Sequence, residues 1–342
     1  MKVAVVGATG AVGETILRLL EERDLPIGEL GPFASRACAA AVVFRGNPID
    51  VRPASSDGLR GFDVVFFAGG EDASERYAPA LLARGSIVID NSATFRMRDG
   101  VALIVPEINA ESLRAEQRLF PIANCTAIIL STALRPVRDV AGLRSVRVAT
   151  YQAASGAGRA GLQELLEDER AIACGDPEPE PEVFPRRLAR NVVPQIGAFD
   201  ASGWSGEERK VCDETRKLLD LPELLVSATA VRVPVRTAHS EAVFLQTQRP
   251  TSTQELARAF QTTRGIVFHP DGIVTPREVE GTDDVHVARL RAESRSVQDD
   301  AAEDDKGRNF ALWCVGDQLR TGAATNAVQI LELLLAKGYI AA

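Results

Sequence analysis

One of the five cysteines in the sequence stands where a thiol can become reactive. Cys125 ends the segment 122–125 (IANC), and an apolar run with helical spacing, 127–134 (AIILSTAL), follows almost at once. The pattern predicts that the sulfur lies at a helix N-terminus, where the helix dipole favours a thiolate that can attack a carbonyl carbon. A lone cysteine is more often a buried structural residue, so this segment by itself leaves both interpretations open.

A histidine is the second group that could take part in catalysis. His239 follows the segment 232–235 (RVPV) and is one of three histidines in the chain. The ordinary pKa of histidine lies close to neutral, which suits acid–base chemistry. His269 and His286 lie in segments without other polar clustering. A histidine at a strand edge is often only a hydrogen-bonded structural residue, and that alternative stays open for His239.

A glycine cluster near the N-terminus predicts a nucleotide site. Gly7, Gly10 and Gly13 lie in the segment 7–13 (GATGAVG), between a β-branched run at 2–6 and a stretch with helical spacing at 11–22. Backbone N–H groups at such a helix N-terminus bind a pyrophosphate. The spacing is G-x-x-G-x-x-G rather than the common G-x-G-x-x-G, and a purely structural glycine turn is the alternative.

The residues after the predicted second strand indicate which dinucleotide binds. NAD-specific folds place Asp or Glu there to bind the ribose hydroxyl. This sequence has Ser35 and Arg36 instead. A hydroxyl and a guanidinium suit a 2′-phosphate, so the cofactor is expected to be NADP(H), although Arg36 could simply be a surface charge.

The first third of the chain, which contains the glycine cluster, alternates between β and α patterns. Apolar runs at 63–68 and 86–90 bracket a helical stretch at 73–83. Such alternation predicts parallel strands with crossover helices, the arrangement of a Rossmann-type domain.

Beyond residue 149 the pattern changes to longer strands, such as 227–235 and 241–247, with fewer helices between them. This predicts a second, α+β domain on a mixed sheet. A final helix is expected over 318–337. The predicted division is a NADP-binding domain of 1–124 plus 319–342, and a catalytic and dimerisation domain of 125–318.

Composition excludes several classes of function. The 342 residues are 45% apolar and 25% charged, which predicts a soluble two-domain protein. The net charge of −8 opposes a role in binding nucleic acid. No signal-peptide pattern and no run of about 18 apolar residues occurs, so neither a membrane span nor secretion is expected and the location is predicted to be cytoplasmic. The acidic segments 176–182 and 299–305 are expected to be solvated loops.

The cysteines predict neither a disulfide framework nor a metal centre. They are odd in number and widely scattered, they form no C-x-x-C pair, and only three histidines accompany them. We therefore expect no bound metal.

Several motifs, in order along the chain, resemble the aspartate-semialdehyde dehydrogenase family. The resemblance runs from the first strand to the last helix. The motifs are GATGAVG at 7–13, DNSATFR at 90–96, NCT at 124–126, TYQAASGAG at 150–158, EERK at 207–210, RVPV at 232–235 with AHSEA at 238–242, and GDQLRTGAATNAVQI at 316–330.

The resemblance implies NADPH-dependent reduction of L-aspartyl 4-phosphate to L-aspartate 4-semialdehyde, and a homodimer. It implies that Cys125 is the nucleophile that forms a thioester, that His239 is the acid–base residue and that Gln152 orients the intermediate. The implied substrate-binding residues are Arg232 for the carboxylate, Glu207 for the amino group, Arg96 and Lys210 for the phosphate, and Asn124. The implied cofactor-binding residues are Gly7, Thr9, Gly10, Ala11, Val12, Ser35, Arg36, Ser155, Gly156 and Asn326.

The sequence departs from the family pattern at a few positions near these groups. Ile122 and Ala123 replace the common Asn-Pro before the nucleophile motif, and Ala238 replaces the usual glycine before the histidine. Thr321 occupies a position that is often lysine. The shape of the nucleophile loop is therefore expected to differ.

Two alternative functions share part of this pattern. An N-acetylglutamyl-phosphate reductase shares the chemistry, but Glu207 suits a free ammonium better than an acylated amine. A catalytically silent nucleotide-binding paralogue would be expected to lack some of Cys125, Gln152, Arg232 and His239, all of which are present.

Overall fold

The computed structural model describes residues 1–34, 40–293 and 307–341. The chain forms two compact units, one of residues 1–124 and 322–342 and the other of residues 125–321.

The N-terminal unit is built on a parallel sheet of six strands. Their order across the sheet is β5-β2-β1-β6-β7-β8. The strands are β1 (Lys2–Val6), β2 (Glu29–Ala34), β5 (Arg52–Pro53), β6 (Val64–Phe67), β7 (Ile87–Asp90) and β8 (Leu119–Pro121), and β3 (Ala41–Phe44) and β4 (Asn47–Asp50) form a separate hairpin. The helices are α1 (Ala11–Glu22), α2 (Glu71–Leu82), α3 (Pro106–Asn109) and α9 (Thr325–Ala336).

The central strands of this sheet are fully buried. All four residues of β6 (VVFF) and all four of β7 (IVID) are buried. Continuous apolar strands of this kind are typical of a parallel sheet that is covered on both faces.

The C-terminal unit is built on a mixed sheet with the order β10-β9-β11-β14-β13-β12. The two outer pairs, β10 with β9 and β13 with β12, are parallel, and the inner pairs are antiparallel. The strands are β9 (Leu143–Gln152), β10 (Leu225–Arg232), β11 (His239–Thr247), β12 (Ile266–His269), β13 (Val285–Ala292) and β14 (Asn309–Gly316). The helices are α4 (Cys125–Ala141), α5 (Gly158–Cys174), α6 (Gly206–Leu219), α7 (Thr253–Thr262) and α8 (Pro276–Val279).

This second sheet has one covered face and one open face. Along β10, buried and exposed residues alternate, because successive side chains point to opposite faces of a strand. Helices α4, α6 and α7 pack against the sheet. Partly exposed aromatic side chains lie among its strands, and Tyr151 contacts Trp313 with ring centroids 5.4 Å apart.

The expected element bounds differ from the observed ones by one or two residues at several ends, and by more in two places. The strand expected over 227–235 ends at Arg232, because Pro234 has no N–H to donate to a neighbouring strand. The helix expected over 318–337 is divided into a π-helical turn at Arg320–Ala324 and helix α9. The segment 176–182 is irregular and mostly exposed, as expected, while 299–305 lies outside the described residues.

No helix within the described ranges is both long enough and apolar enough to cross a bilayer.

Candidate active site

The glycine loop of the N-terminal unit connects β1 directly to α1. Gly7 has a φ of +87°, and a Cβ at this position would lie 2.6 Å from the backbone nitrogen of Gly69, so only glycine fits. Gly10 is the N-cap residue of α1 and has no side chain to cap the first turn. The N–H groups at Ala11 and Val12 therefore belong to a helix N-terminus suited to a pyrophosphate.

The residues predicted to bind the 2′-phosphate follow the end of β2. This strand ends at Ala34, and its Phe33 carbonyl accepts hydrogen bonds from the backbone N–H groups of Gly7 and Ala8. Ser35 and Arg36 lie outside the described residues. The ends of β1 and β2 are thus adjacent, as a dinucleotide-binding loop requires.

Arg96 and Asn326 are buried in the same unit. One guanidinium nitrogen of Arg96, Nη2, donates to the Asn91 carbonyl at 2.9 Å. Asn326 lies in the first turn of α9, and its Nδ2 donates to the Ile104 carbonyl at 3.3 Å. Its Oδ1 is buried and accepts no hydrogen bond from the described residues, which fits an amide or hydroxyl donor of a bound cofactor.

Asn124 and Cys125 occupy the junction between the two units along the chain. Asn124 is buried, and Cys125 is the first residue of α4 and is partly exposed. Its Sγ lies 4.0 Å from Thr126 Oγ1. The sulfur is therefore at the N-terminus of a 17-residue helix, where the dipole favours a thiolate.

Three predicted site residues lie at neighbouring strand ends of the mixed sheet. Gln152 ends β9, Arg232 ends β10 directly beside it, and His239 begins β11 on the other side of β9. All three are at most 5% exposed. The strand register thus brings an amide, a guanidinium and an imidazole to one edge of the covered sheet face.

Glu207 joins this group from the first turn of α6. Gln152 donates through Nε2 to Glu207 Oε1 at 3.0 Å, and it accepts at Oε1 from Thr150 Oγ1 at 3.1 Å. The start of α6 is fixed by a capping box between Ser205 and Glu208. Glu208 also accepts the Ala230 backbone N–H at 3.0 Å. The Glu207 carboxylate is therefore held at a defined position relative to β10.

Arg232 is the central cation of the cluster. Its Nη1 donates to the Ala153 carbonyl at 2.6 Å. Burial lowers the pKa of Arg232, while the negative charges of Glu207 and of a Cys125 thiolate raise it. The guanidinium is thus a buried cation with carboxylate and thiolate groups in electrostatic range, which suits it to hold a further anion.

His239 is fully buried, and the hydrogen bonding of its ring is asymmetric. Nδ1 accepts the Ala153 backbone N–H at 3.0 Å, whereas Nε2 has no hydrogen-bond partner among the described residues. A neutral ring in this arrangement carries its proton on Nε2. Burial, and then the positive charge of Arg232, holds the pKa of His239 well below its ordinary value.

Ser155 and Gly156 lie in the short 3-10 helix Ala154–Ala157 directly after β9. A Cβ on Gly156 would be 2.6 Å from Arg232 Nη1 and 3.0 Å from His239 Nε2. Only glycine lets the backbone approach the guanidinium and the imidazole this closely. The structure therefore brings Gly156 together with the predicted catalytic groups.

Lys210 lies one helical turn after Glu207 on α6 and is half-buried. Its position on the same face follows from the i, i+3 spacing.

The sequence of this chain matches known protein families over most of its length. Residues 2–116 match the family model "Semialdehyde dehydrogenase, NAD binding domain", and residues 134–321 match "Semialdehyde dehydrogenase, dimerisation domain". The chain is 38% identical to the aspartate-semialdehyde dehydrogenase of Aquifex aeolicus, with 99% of each chain covered. It is 37% identical to that of Bacillus subtilis, with 98% of this chain and 97% of the relative covered.

A solved structure gives the same result. Aspartate semialdehyde dehydrogenase II from Vibrio cholerae, complexed with ASA, has a TM-score of 0.90 at 35% identity, and 98% of both chains is covered. The chain belongs to the aspartate-semialdehyde dehydrogenase family. The resemblance predicted from the sequence motifs is confirmed, and so is the fold class, an N-terminal NAD(P)-binding unit on a parallel sheet and a C-terminal dimerisation domain on a mixed sheet.

Gln318 of this aspartate-semialdehyde dehydrogenase family member is a site residue that was not predicted from the sequence. Its side chain is 3% exposed, its Oε1 accepts the Ala238 backbone N–H at 2.7 Å, and its Nε2 donates to Ser155 Oγ. Gln318 thereby ties the backbone before His239 to the turn that contains Gly156. Its place in the motif 316–330 was the only signal in the sequence.

Ala238 shows how this family member accommodates its departure from the usual glycine. It adopts a φ of +70°, in the left-handed region that favours glycine, and its side chain is fully buried. The backbone before His239 thus keeps a conformation that a glycine would permit at lower energetic cost.

Proposed function

We propose that this chain catalyses the NADPH-dependent reductive dephosphorylation of L-aspartyl 4-phosphate to L-aspartate 4-semialdehyde, through a thioester on Cys125. This step would supply lysine, threonine, methionine and diaminopimelate biosynthesis, and we expect it to take place in the cytoplasm.

One observation carries the proposal. Gln152, Arg232 and His239 occupy adjacent strand ends on one sheet face, and the N-termini of α4 and α6 contribute Cys125 and Glu207. A nucleophile, a proton donor, a cation and a carboxylate in one cluster are what acyl transfer to a thiol from a charged amino-acid substrate needs.

The reaction begins with the Cys125 thiolate, which attacks the acyl carbon of the substrate. The carbon–sulfur bond forms first and gives a tetrahedral intermediate, and the carbon–oxygen bond to phosphate then breaks as phosphate leaves with its electron pair. The dipole of α4 and the nearby Arg232 cation favour the thiolate over the thiol. When it is bound, NADPH supplies the hydride that reduces the thioester.

His239 acts on the oxygen of the tetrahedral intermediates. In its neutral form it presents Nε2–H and donates a hydrogen bond to the developing oxyanion. To accept the hydroxyl proton of the hemithioacetal, the ring must first carry its proton on Nδ1, which requires the Ala153 contact to open. The acid–base role of His239 is therefore coupled to the backbone at Ala153.

The charged residues divide recognition of the substrate among them. A buried guanidinium pairs well with a carboxylate, so Arg232 is assigned to the α-carboxylate, while the Glu207 carboxylate suits the ammonium group. Arg96 and Lys210 are assigned to the phosphate, and Gln152 to the orientation of the acyl group. Asn124, directly before the nucleophile, is assigned to substrate binding.

The cofactor assignment rests on the N-terminal loop. In the N-terminal unit, the residues from Gly7 to Val12 and the unsatisfied Oδ1 of Asn326 would hold the dinucleotide. The family resemblance adds Ser155 and Gly156 to the cofactor-binding residues. Ser35 and Arg36 favour NADP over NAD because a guanidinium binds a 2′-phosphate.

The open face of the mixed sheet supports a homodimer. Leu225 is 66% exposed, and Tyr151 and Phe244 are each 38% exposed. Apolar side chains on an open sheet face indicate an association surface. A second copy of the chain is the expected occupant, because residues 134–321 match a dimerisation domain.

The N-acetylglutamyl-phosphate reductase alternative is disfavoured by Glu207. An acylated amine carries no positive charge to pair with the buried Glu207 carboxylate, whereas the free ammonium of aspartate semialdehyde does.

The reverse reaction distinguishes these functions. Purified protein is mixed with aspartate semialdehyde, phosphate and NADP or NAD, and reduced cofactor is followed by absorbance, with N-acetylglutamate semialdehyde as the control substrate. We expect turnover with aspartate semialdehyde and NADP. Turnover with the acetylated substrate, or with neither, would contradict the proposal.

Replacing Arg36 by Ala should weaken the binding of NADP more than the binding of NAD, by about 1.5–3 kcal/mol.

A further inference from the structure

We propose that Phe184, held in place by Glu164, is a positioning residue for Arg232 that orients its guanidinium toward the substrate carboxylate. The inference rests on the proposed role of Arg232, and it assigns a function to a helix and a loop that the site described above does not use.

The first observation is the contact between the two side chains. The guanidinium carbon of Arg232 lies 5.8 Å from the centroid of the Phe184 ring. Arg232 is 5% exposed and Phe184 is 6% exposed, so water does not weaken the attraction between the cation and the ring. The hydrogen bond from Nη1 to the Ala153 carbonyl fixes one side of the guanidinium, and the ring limits its tilt on another.

The second observation is that Phe184 is firmly packed. Its ring belongs to a buried cluster beside α5, together with Leu165 and Leu188. A Cβ on Gly161 would lie 3.0 Å from Phe184 Cζ, so the tip of the ring abuts the helix. The ring therefore cannot move toward α5 to release Arg232.

The third observation concerns the backbone that carries Phe184. This segment is irregular, so its N–H groups have no sheet or helix to satisfy them. The carboxylate of Glu164 accepts three consecutive backbone N–H groups, from Glu182 at 2.8 Å, Val183 at 2.6 Å and Phe184 at 3.2 Å. One side chain on α5 thus holds the segment 182–184 in place.

The start of α5 links this arrangement to the reacting groups. The helix begins at Gly158, directly after the turn whose Gly156 approaches Arg232 and His239. Direct contacts therefore connect Glu164 on α5 to Phe184, and Phe184 to Arg232, which is proposed to bind the substrate carboxylate.

The test uses two substrates that differ only in the carboxylate. Aspartate semialdehyde carries it and 3-aminopropanal lacks it, and both are assayed in the reverse direction at saturating phosphate and NADP. The variants are Phe184→Leu, Glu164→Ala, Glu164→Gln and Arg232→Ala. Glu167→Ala is the matched control, because Glu167 lies on the same helix and its carboxylate accepts from the exposed Gln163 at 2.7 Å.

We expect Phe184→Leu and Glu164→Ala to lower kcat/KM for aspartate semialdehyde roughly tenfold, the order of a desolvated cation–π contact, and to leave kcat/KM for 3-aminopropanal unchanged. Glu164→Gln keeps the chain length and one acceptor oxygen, so it should retain part of the activity. Phe184→Leu should have no further effect in the Arg232→Ala background.

If Phe184→Leu and Glu164→Ala lowered kcat/KM equally for both substrates, or for neither, Phe184 would not be a positioning residue. Unfolding temperatures identify any variant that fails to fold. If Arg232→Ala itself lowered activity equally for both substrates, the proposed function of Arg232 would be wrong instead. The two failures are thus distinguishable in one set of assays.

Discussion

The His239 ring accepts the backbone N–H of Ala153 through Nδ1, at 3.0 Å, and therefore presents its other nitrogen to the site as a donor. The same peptide segment is tied to Arg232, whose Nη1 donates to the Ala153 carbonyl. One residue thus fixes the orientation of both the imidazole and the guanidinium.

Replacing Cys125 by Ala should abolish turnover and leave NADP binding intact, because it removes the nucleophile without touching the β1–α1 loop. Intact-protein mass spectrometry after mixing with aspartyl phosphate, without NADPH, should detect one added aspartyl group on the wild type and none on the variant. A persistent adduct or full activity in Cys125→Ala would make Cys125 a structural cysteine.

Replacing His239 by Asn keeps a polar side chain but removes the group that titrates. The rate should fall by roughly 10²- to 10⁴-fold, while Cys125 can still be labelled by acyl phosphate. In the wild type, burial lowers the pKa of His239, so kcat/KM should not decline where an ordinary histidine is protonated, near pH 6.5. A fall in kcat/KM that followed a titration at or above pH 6.5 would contradict the lowered pKa of His239.

The lowered pKa of His239 also predicts an acid-sensitive fold. Below about pH 6.5 the unfolded chain takes up a proton at this histidine, whereas the folded chain keeps it neutral. The stability advantage of the wild type over His239→Asn should therefore shrink as the pH falls from 7.5 to 5.5, measured as the free energy of unfolding in urea. The Asn191→Ser variant, at an exposed position, is the control, and its free energy of unfolding should differ from that of the wild type by the same amount at every pH.

Glu241 should give the opposite pH dependence. It is fully buried, Cys314 Sγ donates to its Oε2 at 3.5 Å, and burial holds its pKa well above the ordinary value. Above about pH 4.5 the unfolded chain releases this proton while the folded chain retains it, so stability is lost as the pH rises, by up to about 1.4 kcal/mol per pH unit.

Glu241→Gln removes this titration and should gain stability over the wild type as the pH rises from 5 to 8. Urea unfolding at each pH measures the gain. Glu223→Gln, at an exposed position, is the control. A difference between Glu241→Gln and the wild type that did not change with pH would contradict the assignment of a protonated carboxyl.

Gly156→Ala should damage catalysis more than stability. The added Cβ would lie 2.6 Å from Arg232 Nη1, so the guanidinium or the 3-10 turn must shift. We expect kcat/KM to fall by about 10²-fold, as for other misplacements near 1 Å, with a modest change in unfolding temperature. Gly272→Ala, whose nearest neighbour would be 3.7 Å away, is the control and should retain activity.

Local periodicity was enough to predict the elements that carry several of these groups. The glycine loop joins β1 to α1 as its spacing predicts, and α4 begins at Cys125 because an apolar helical run follows this residue directly. The roles of the individual site residues came from the family resemblance, and they stay predictions.

Contacts between distant parts of the sequence could not be predicted. The pairing of Arg232 with Phe184 and the bridge made by Gln318 depend on how strands and loops meet in three dimensions, and neither leaves a periodic signal. The π-helical turn at Arg320–Ala324 was also missed, because the change from i→i+4 to i→i+5 hydrogen bonds over one turn has no distinct pattern in the sequence.

The register of the mixed sheet has a consequence for variant libraries. Val243 and Leu245 are buried on the same face of β11 as His239, and a slip of one residue would present Ser240 in place of the imidazole. Substitutions at these two core positions can therefore appear in an activity screen as catalytic defects, although neither residue is among the proposed site residues. Selections for new substrate preference would lose many otherwise useful clones unless these core residues were held constant.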